Sequence, residues 1–261
     1  MITGSFQYHC PDSLAAVTAL LAEHGDEARV LAGGHSLIPM MKLRMADLSH
    51  VVDLQAIDVL KGISVSGGTA DIGAMVTQND LITNDALVAA LPILREAALQ
   101  IADPQVRYVG TVGGNVANGD PGNDMPGLMQ CLGATYTLVG PDGSREVAAR
   151  DFYEAAYFTA RDDEEILTRI SIPVPAAGTG YAYEKQKRKI GDYATAAAAV
   201  LIRVESGTCT EASVAMTTPP RTSIPLYAFL RSLPLFAQTC GVRVGRTWRE
   251  VHCPEATGAI M

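Results

Sequence analysis

Residues 109–126 read VGTVGGNVANGDPGNDMP, a run of glycine, asparagine and aspartate in a chain otherwise rich in alanine, valine and leucine. Its glycine pair, Gly113–Gly114, is followed by Asn115, and a second pair, Gly33–Gly34, lies in the segment AGGHS at 32–36. Glycine lets backbone N–H groups approach a bulky anion, and consecutive N–H groups form a concave nest for phosphate oxygens. Two such segments in one chain predict a diphosphate-binding site.

Common nucleotide motifs do not account for these glycines, because the chain contains neither G-x-G-x-x-G nor G-x-x-x-x-G-K-[ST]. The second pair lies in a stretch of about 20 residues without a clear secondary-structure pattern, and such loops in compact domains are functional or disordered. Disorder is disfavoured here because Tyr108, Val109 and Val112 favour burial. The stretch is therefore predicted to be a long binding loop.

The composition excludes several classes of protein. With 261 residues, 48% of them hydrophobic, the chain can bury a core, and a net charge of -8 with 18% charged residues offers no basic face to nucleic acid. Its five cysteines are widely spaced with no CxxC pair, so no metal site is expected in this chain. The N-terminus lacks a signal-peptide pattern and no apolar run could span a membrane. We expect a cytoplasmic protein.

The N-terminal pattern predicts a helix capped by Asp12 or Ser13 and a β-turn-α-β unit. The unit comprises a strand at 28–32, the first glycine pair, a helix at 37–45 and a strand at 50–54. The pair thus follows the carboxyl end of a strand, where ligands tend to bind in α/β sheets. Further predicted elements are hairpins at 63–72 and 135–149, helices at 77–82, 92–101 and 126–134, and a strand at 165–175.

A second domain is predicted to begin near residue 178. The alanine-rich run 194–216 favours helix by propensity, but VESGTC within it is typical of a hairpin turn, so we predict two strands. From Thr217 the chain becomes rich in proline and arginine and loses its periodicity. Either the C-terminal domain has diverged or the recorded reading frame shifts there, and we favour the frame shift as a hypothesis.

Three segments together carry a family resemblance: LAGGHSLIPMMKLRMADLSHVVDL at 31–54, IADPQVRYVGTVGGNVANGDPGNDMPGLMQCLGA at 101–134 and YEKQKRKIGDYATAAAAV at 183–200. They resemble the FAD-binding medium subunits of the molybdenum hydroxylases, and most of all the branch that oxidises carbon monoxide. The resemblance extends over residues 1–216. It implies an α+β chain with the FAD-binding fold of the vanillyl-alcohol oxidase type.

The resemblance also implies a domain organisation. An FAD-binding domain at 1–177 would comprise two α/β subdomains, at about 1–55 and 56–177. A smaller C-terminal α+β domain at 178–261 would follow, with 217–261 atypical of the family.

The cofactor site implied by the resemblance combines both glycine-pair segments, which would hold the FAD pyrophosphate, with four residues further along the chain. Asp124 would bind the nucleotide, Lys185 would lie beside the flavin, and Tyr193 would lie near the isoalloxazine ring. His35 is not predicted to be catalytic, because a histidine beside a phosphate-binding loop more often makes a single hydrogen bond. No other catalytic residue is predicted. The predicted cofactor residues are Ala32, Gly33, Gly34, His35, Ser36, Leu37, Thr111, Val112, Gly113, Gly114, Asn115, Asp124, Leu167, Lys185 and Tyr193.

The function implied by the resemblance is electron transfer within a larger enzyme. A large partner subunit would carry molybdenum in molybdopterin cytosine dinucleotide and oxidise carbon monoxide with water to carbon dioxide. A small partner would carry two [2Fe-2S] clusters. This chain would receive their electrons on FAD and pass them to an external acceptor such as quinone, in a dimer of heterotrimers in the cytoplasm or at the inner face of its membrane. Alternatives are the medium subunit of a xanthine- or aldehyde-type hydroxylase, a stand-alone flavin reductase and a non-catalytic ligand-binding domain.

Overall fold

Three sheets and eight α-helices organise most of the chain in the computed structural model, which describes residues 2–205, 208–217, 241–244 and 247–250, the last two ranges through their backbone only. Strands β14 (Gly241–Val244) and β15 (Thr247–Glu250) form an antiparallel pair. The other residues of the predicted atypical segment after Thr217 lie outside the described residues. The frame-shift hypothesis concerns this segment and stays a hypothesis.

The N-terminal unit is a small parallel sheet with two helices. Ser13 caps the first helix by accepting a hydrogen bond from the Ala16 N–H at 3.4 Å, which confirms one of the two predicted caps. The strand order is β1-β3-β2, and the predicted β-turn-α-β unit is confirmed. Its elements are β1 (Gln7–His9), α1 (Leu14–His24), β2 (Ala28–Leu31), α2 (Leu37–Lys42) and β3 (His50–Asp53).

Helix α2 is shorter than its predicted extent of 37–45. It ends at Lys42, and Arg44 adopts φ 60° in the left-handed region. The Met45 N–H donates to the Met40 carbonyl at 2.9 Å, which closes the turn. Apolar residues continue past Lys42 as far as Met45, so the periodic pattern extends beyond the point where the helix ends.

The central unit is an antiparallel sheet of five strands in the order β4-β5-β10-β6-β7. Both predicted hairpins and the predicted closing strand are confirmed. The elements are β4 (Ile63–Ser66), β5 (Thr69–Gly73), α3 (Gln78–Thr83), α4 (Asp85–Ala90), α5 (Pro92–Gln100), α6 (Pro104–Val109), α7 (Val112–Ala117), α8 (Asp124–Leu132), β6 (Thr135–Gly140), β7 (Gly143–Ala148), β8 (Tyr153–Ala155), β9 (Phe158–Thr159) and β10 (Ile166–Pro173).

The stretch predicted to be a long binding loop is instead partly helical. Helix α6 is capped by Asp103, and α7 is capped by Thr111, whose side chain accepts from the Gly114 N–H. Each helix has only six residues, too few for an apolar periodicity to be read from the sequence. None of the helices in the described part of the chain combines the length and apolarity that crossing a membrane requires.

The third sheet packs against the central unit through helix α8. Strands β11 (Thr179–Gln186), β12 (Ala196–Glu205) and β13 (Thr208–Thr217) are antiparallel, so the predicted strand pair in the alanine-rich run is confirmed. Helix α8 is buried along its whole length and lies against β12 and β13. Alanines at 197 and 199 are buried in the same core, where a short side chain lets helix and sheet approach closely.

Candidate functional site

The first glycine-pair segment, residues 32–36, joins the end of β2 to the start of α2. Gly34 adopts φ 72°, a left-handed conformation that glycine enters without steric cost. The backbone N–H groups of residues 33–36 donate no hydrogen bond to any atom of the described chain. A run of free N–H groups at the carboxyl edge of a parallel sheet is suited to phosphate oxygens, so this geometry supports the predicted nest.

The second segment is the first turn of α7, and its N–H groups are already used. The Gly113 N–H donates to the Ala74 carbonyl at 2.9 Å, and the Gly114 N–H donates to Thr111 Oγ1 at 3.1 Å. The N–H groups on either side of this pair also have protein acceptors. Residues 112–115 therefore do not form the second free N–H nest that the glycine pair predicts. Their hydrogen bonds fix the start of α7 to the end of β5.

The two glycine-pair segments lie in direct contact. A Cβ atom added to Gly33 would lie 2.6 Å from the Val109 carbonyl oxygen and 2.8 Å from the Gly110 Cα. A Cβ atom added to Gly114 would lie 3.3 Å from the Ala32 Cβ. Because the obstructing atoms at Gly33 are backbone, a side chain there would force the segments apart. The two segments that were predicted to bind the pyrophosphate together are therefore adjacent in the fold.

Gly113 has a packing role that the sequence interpretation did not assign. A Cβ atom at this position would lie 2.5 Å from the Ala74 Cβ and 2.7 Å from the Ala74 Cα. Helix α7 could not lie this close to the end of β5 with any larger residue at 113. The two glycines of the pair therefore have different contacts: Gly113 packs against the central unit, and Gly114 packs against the first glycine-pair segment.

Two amide side chains near these segments have buried atoms that are not hydrogen-bonded. Within the described residues, neither Asn115 Oδ1 nor the amide oxygen or nitrogen of Gln78 has a hydrogen-bond partner. The Gln78 backbone N–H donates to the Gly110 carbonyl at 2.9 Å, which places Gln78 beside the second segment. A buried polar atom that stays unsatisfied costs free energy, so such atoms are normally paired with ordered water or a bound ligand. Gln78 was missed in the sequence because it reads only as an ordinary helix residue.

Asp124 and Lys185, both predicted to contact the cofactor, pair with each other. The Lys185 Nζ donates to Asp124 Oδ2 at 2.7 Å, and the two side chains are only 2% and 6% exposed. The Tyr183 hydroxyl donates to the other carboxylate oxygen. This cluster joins the first turn of α8 to β11. The sequence did not indicate Tyr183, although it lies on the same strand two residues before Lys185.

The cluster keeps the Tyr183 hydroxyl protonated. Burial and the neighbouring Asp124 carboxylate both raise the pKa of Tyr183 far above its ordinary value. The hydroxyl therefore acts as a fixed donor to Asp124 at physiological pH. With Tyr183 and Lys185 both donating, each oxygen of Asp124 has a protein partner.

Tyr193 is 61% exposed and lies beside the polar turn that precedes α8. A Cβ atom on Gly122 would lie 3.2 Å from the Tyr193 Cδ1, so the ring covers this turn. Partial burial and the carboxylate of Asp120 raise the pKa of Tyr193, so its hydroxyl remains neutral. An exposed aromatic face with a polar tip is suited to contact with a ring system.

Three other predicted residues direct their side chains into hydrophobic cores. Val112 is fully buried, Leu167 is 4% exposed in the main core, and Leu37 packs against a small cluster around Met41. Any cofactor contact made by these residues must therefore involve the backbone or the edge of a packed side chain. The His35 ring lies close to Gly110: a Cβ atom added to Gly110 would lie 3.4 Å from the His35 Cδ2. The His35 side chain is therefore part of the contact between the two segments.

The fold and these segments define an FAD-binding class, and comparison with protein families agrees. The chain belongs to the family described as the FAD binding domain in molybdopterin dehydrogenase, which matches residues 4–175. The predicted family resemblance is thereby confirmed, as is the α+β FAD-binding fold.

Two of its relatives are carbon monoxide dehydrogenase medium chains. That of Afipia carboxidovorans is 61% identical over 87% of this chain and 78% of its own length, and that of Hydrogenophaga pseudoflava is 47% identical over 86% and 78%. The solved structure of reconstituted CO dehydrogenase from Oligotropha carboxidovorans superposes with a TM-score of 0.82 at 61% identity and covers 84% of this chain and 78% of that one.

The residues present fit the pyrophosphate of FAD. The N–H groups at 33–36 provide four donors that no acceptor in the described part of the chain uses, and such groups suit phosphate oxygens. The absence of a side chain at Gly33 and Gly114 brings the second segment alongside this array. The unpaired Asn115 Oδ1 offers a buried acceptor at the same junction. These features favour binding of a ligand that carries both anionic and donor groups, as a dinucleotide does.

Proposed function

We propose that this chain is the FAD-carrying electron-transfer subunit of a molybdenum hydroxylase that oxidises carbon monoxide. The observation that carries the proposal is the free N–H array at 33–36 lying against the second glycine-pair segment. Its family membership and the identity of its relatives support the same function. Bound FAD would supply the redox chemistry, and the protein would bind, orient and tune it.

The proposed site assigns different tasks to the predicted residues. The N–H groups of 33–36 bind the pyrophosphate, and Ala32 and Leu37 flank them. Thr111 offers a hydroxyl group and Asn115 an amide group to the same cofactor. Gly113 and Gly114 allow the close packing on which this depends, with Val112 and Leu167 as core supports. The Lys185–Asp124 pair holds α8 against β11, and Tyr193 offers its exposed face to the flavin side.

The proposal places substrate oxidation on another chain. A large subunit with molybdopterin cytosine dinucleotide would convert carbon monoxide and water into carbon dioxide, two protons and two electrons. A small subunit with two [2Fe-2S] clusters would relay the electrons to FAD on this chain. We further propose quinone as acceptor, a dimer of heterotrimers as the assembly and the cytoplasm as its location.

The direct test is isolation of the complex through a tag on this chain in a host that makes all three subunits. We expect a large and a small partner, one flavin per copy of this chain, and molybdenum and iron in the same fraction. With an artificial electron acceptor the complex should oxidise carbon monoxide. The Gly33→Ala complex should retain its molybdenum and iron but contain less flavin per copy of this chain than the unaltered complex.

Two outcomes separate the alternatives. Recovery of the chain without partners, but with flavin, would replace the proposal with a stand-alone flavin reductase. A complex that oxidises an aldehyde or a purine instead of carbon monoxide would reassign the substrate; relatives include a glyceraldehyde dehydrogenase medium chain from Sulfolobus acidocaldarius that is 36% identical over 78% of this chain.

A further inference from the structure

Three histidines that are distant in sequence converge in the N-terminal unit. His9 ends β1, His24 ends α1 and His50 begins β3. The His9 Nε2 lies 3.0 Å from the His50 Nδ1, and one ring nitrogen from each of the three residues lies within 4.8 Å of the others. All three side chains are partly exposed, so the cluster is accessible from solvent.

We propose that His9, His24 and His50 bind one divalent transition-metal ion of the zinc class. Neutral imidazole is a preferred ligand of Zn²⁺, Ni²⁺ and Cu²⁺, and three histidines with a solvent molecule complete a tetrahedral zinc site. A Zn–N distance of about 2.0–2.1 Å places the ligand nitrogens about 3.3 Å apart in that geometry. The separations in the cluster, from 3.0 Å to at most 4.8 Å, bracket this value.

Ion binding would require side-chain rotation but no change of fold. The rings of His24 and His50 are stacked, with centroids 3.6 Å apart and planes 8° from parallel, and the ring of His9 lies 5.3 Å from that of His50. Turning the rings out of this stack would aim their nitrogens at a common point, and the His9–His50 hydrogen bond would give way to two metal bonds. The backbone positions are fixed by β1, α1 and β3.

The cluster lies apart from the proposed FAD site. His50 pairs with Ala28, the first residue of β2, whereas the free N–H array follows Leu31, the last residue of that strand. A bound ion would tie the N-terminal edge strand to α1 and β3, so we expect it to stabilise this unit without altering flavin content. The expectation of no metal site rested on cysteine spacing and could not detect ligands brought together by the parallel sheet.

The test uses the full chain without a polyhistidine tag, freed of metal by a chelator that is then removed. Calorimetric titration with Zn²⁺ should give one ion per chain, and saturation should raise the unfolding temperature. Titration with Co²⁺ should give the strong visible absorption of a four-coordinate site. Each of His9→Gln, His24→Gln and His50→Gln should abolish stoichiometric binding and the spectrum.

A matched control is Glu23→Gln, which removes an exposed carboxylate adjacent to His24 and should bind Zn²⁺ as the unaltered chain does. Misfolding of a histidine variant would be recognised by its unfolding temperature in chelator, which should match that of the metal-free unaltered chain. If His24→Gln folds but binds Zn²⁺ with unchanged stoichiometry and affinity, or if the unaltered chain binds none, the proposed site is overturned.

Discussion

Lys185 and Asp124 form a nearly solvent-free ion pair, with 2.7 Å between the Lys185 Nζ and Asp124 Oδ2. The pair connects β11 to the first turn of α8 and thus joins the third sheet to the central unit. Two side chains that the family resemblance assigns to the cofactor therefore also hold the fold together. Their contribution to stability can be separated from flavin binding by measurements on the flavin-free chain.

Replacement of Lys185 by methionine should lower the free energy of unfolding at neutral pH by about 3–5 kcal/mol, because it leaves the buried Asp124 carboxylate without its counter-charge. Adding Asp124→Asn should recover most of this loss, since the uncompensated charge is then removed. Denaturant unfolding of the flavin-free chain measures both effects. Lys189→Met, at an exposed position of the same segment, is the control and should have little effect. A similarly small loss for Lys185→Met would refute the pair's structural role.

Cys131 should make stability depend on alkaline pH. Burial in α8 raises the pKa of its thiol to about 11, whereas the unfolded thiol titrates at its ordinary lower value. The unfolded state therefore loses its proton first, and stability should fall by about 2 kcal/mol as pH rises from 9 to 11. Cys131→Ala lacks this dependence, so its deficit relative to the unaltered chain should shrink over this range. The exposed Cys10→Ala should keep the full slope.

Gly113→Ala should destabilise the chain even without flavin. The added methyl group meets the Cβ and Cα of Ala74, and such overpacking costs about 1–3 kcal/mol. The matched substitution is Gly62→Ala, because a Cβ at Gly62 meets no atom within 4 Å. Thermal unfolding of the two flavin-free variants gives the comparison. Equal stabilities would show that α7 can shift away from β5 at little cost.

The parts of the fold that could be predicted from sequence are those whose signals are local. The hairpin turns and the strand predicted at 28–32 each follow from neighbouring residues, and the structure has both hairpins and a strand at Ala28–Leu31. The alanine-rich strand pair was also predicted, because its turn residues outweighed the helix propensity of alanine.

The parts that could not be predicted depend on contacts between distant segments. The first N–H groups of α7 donate hydrogen bonds to carbonyl groups just after β5. No local pattern in the sequence indicates that these two segments are neighbours. Asp124 meets Lys185, 61 residues further along the chain, and His9 meets His50 across 41 residues. In each case the residue types were visible in the sequence, but the pairing is set by sheet topology and helix packing.

Gly33→Ala should impair flavin binding as well as the stability of the flavin-free chain. A methyl group at this position meets the backbone of Val109 and Gly110, so the two glycine-pair segments must separate. We expect FAD affinity to fall by about tenfold or more, which corresponds to about 1.4 kcal/mol. Flavin absorbance per chain and titration of the flavin-free chain with FAD measure the effect, with Gly62→Ala as control. Unchanged affinity would mean that the junction of the segments does not contact FAD.

Asn115→Leu distinguishes a ligand-binding amide from a structural one. Asn115 Oδ1 is buried and has no hydrogen-bond partner among the described residues, so its removal should leave the flavin-free chain equally stable or more stable. If this oxygen accepts a hydrogen bond from FAD, the same substitution should lower FAD affinity by about tenfold, the value of one hydrogen bond in a buried site. Asn79→Leu on the neighbouring helix α3 is the control and should bind FAD normally. A variant that loses stability but keeps its FAD affinity would assign Asn115 to the fold and leave the N–H array of 33–36 as the cofactor contact.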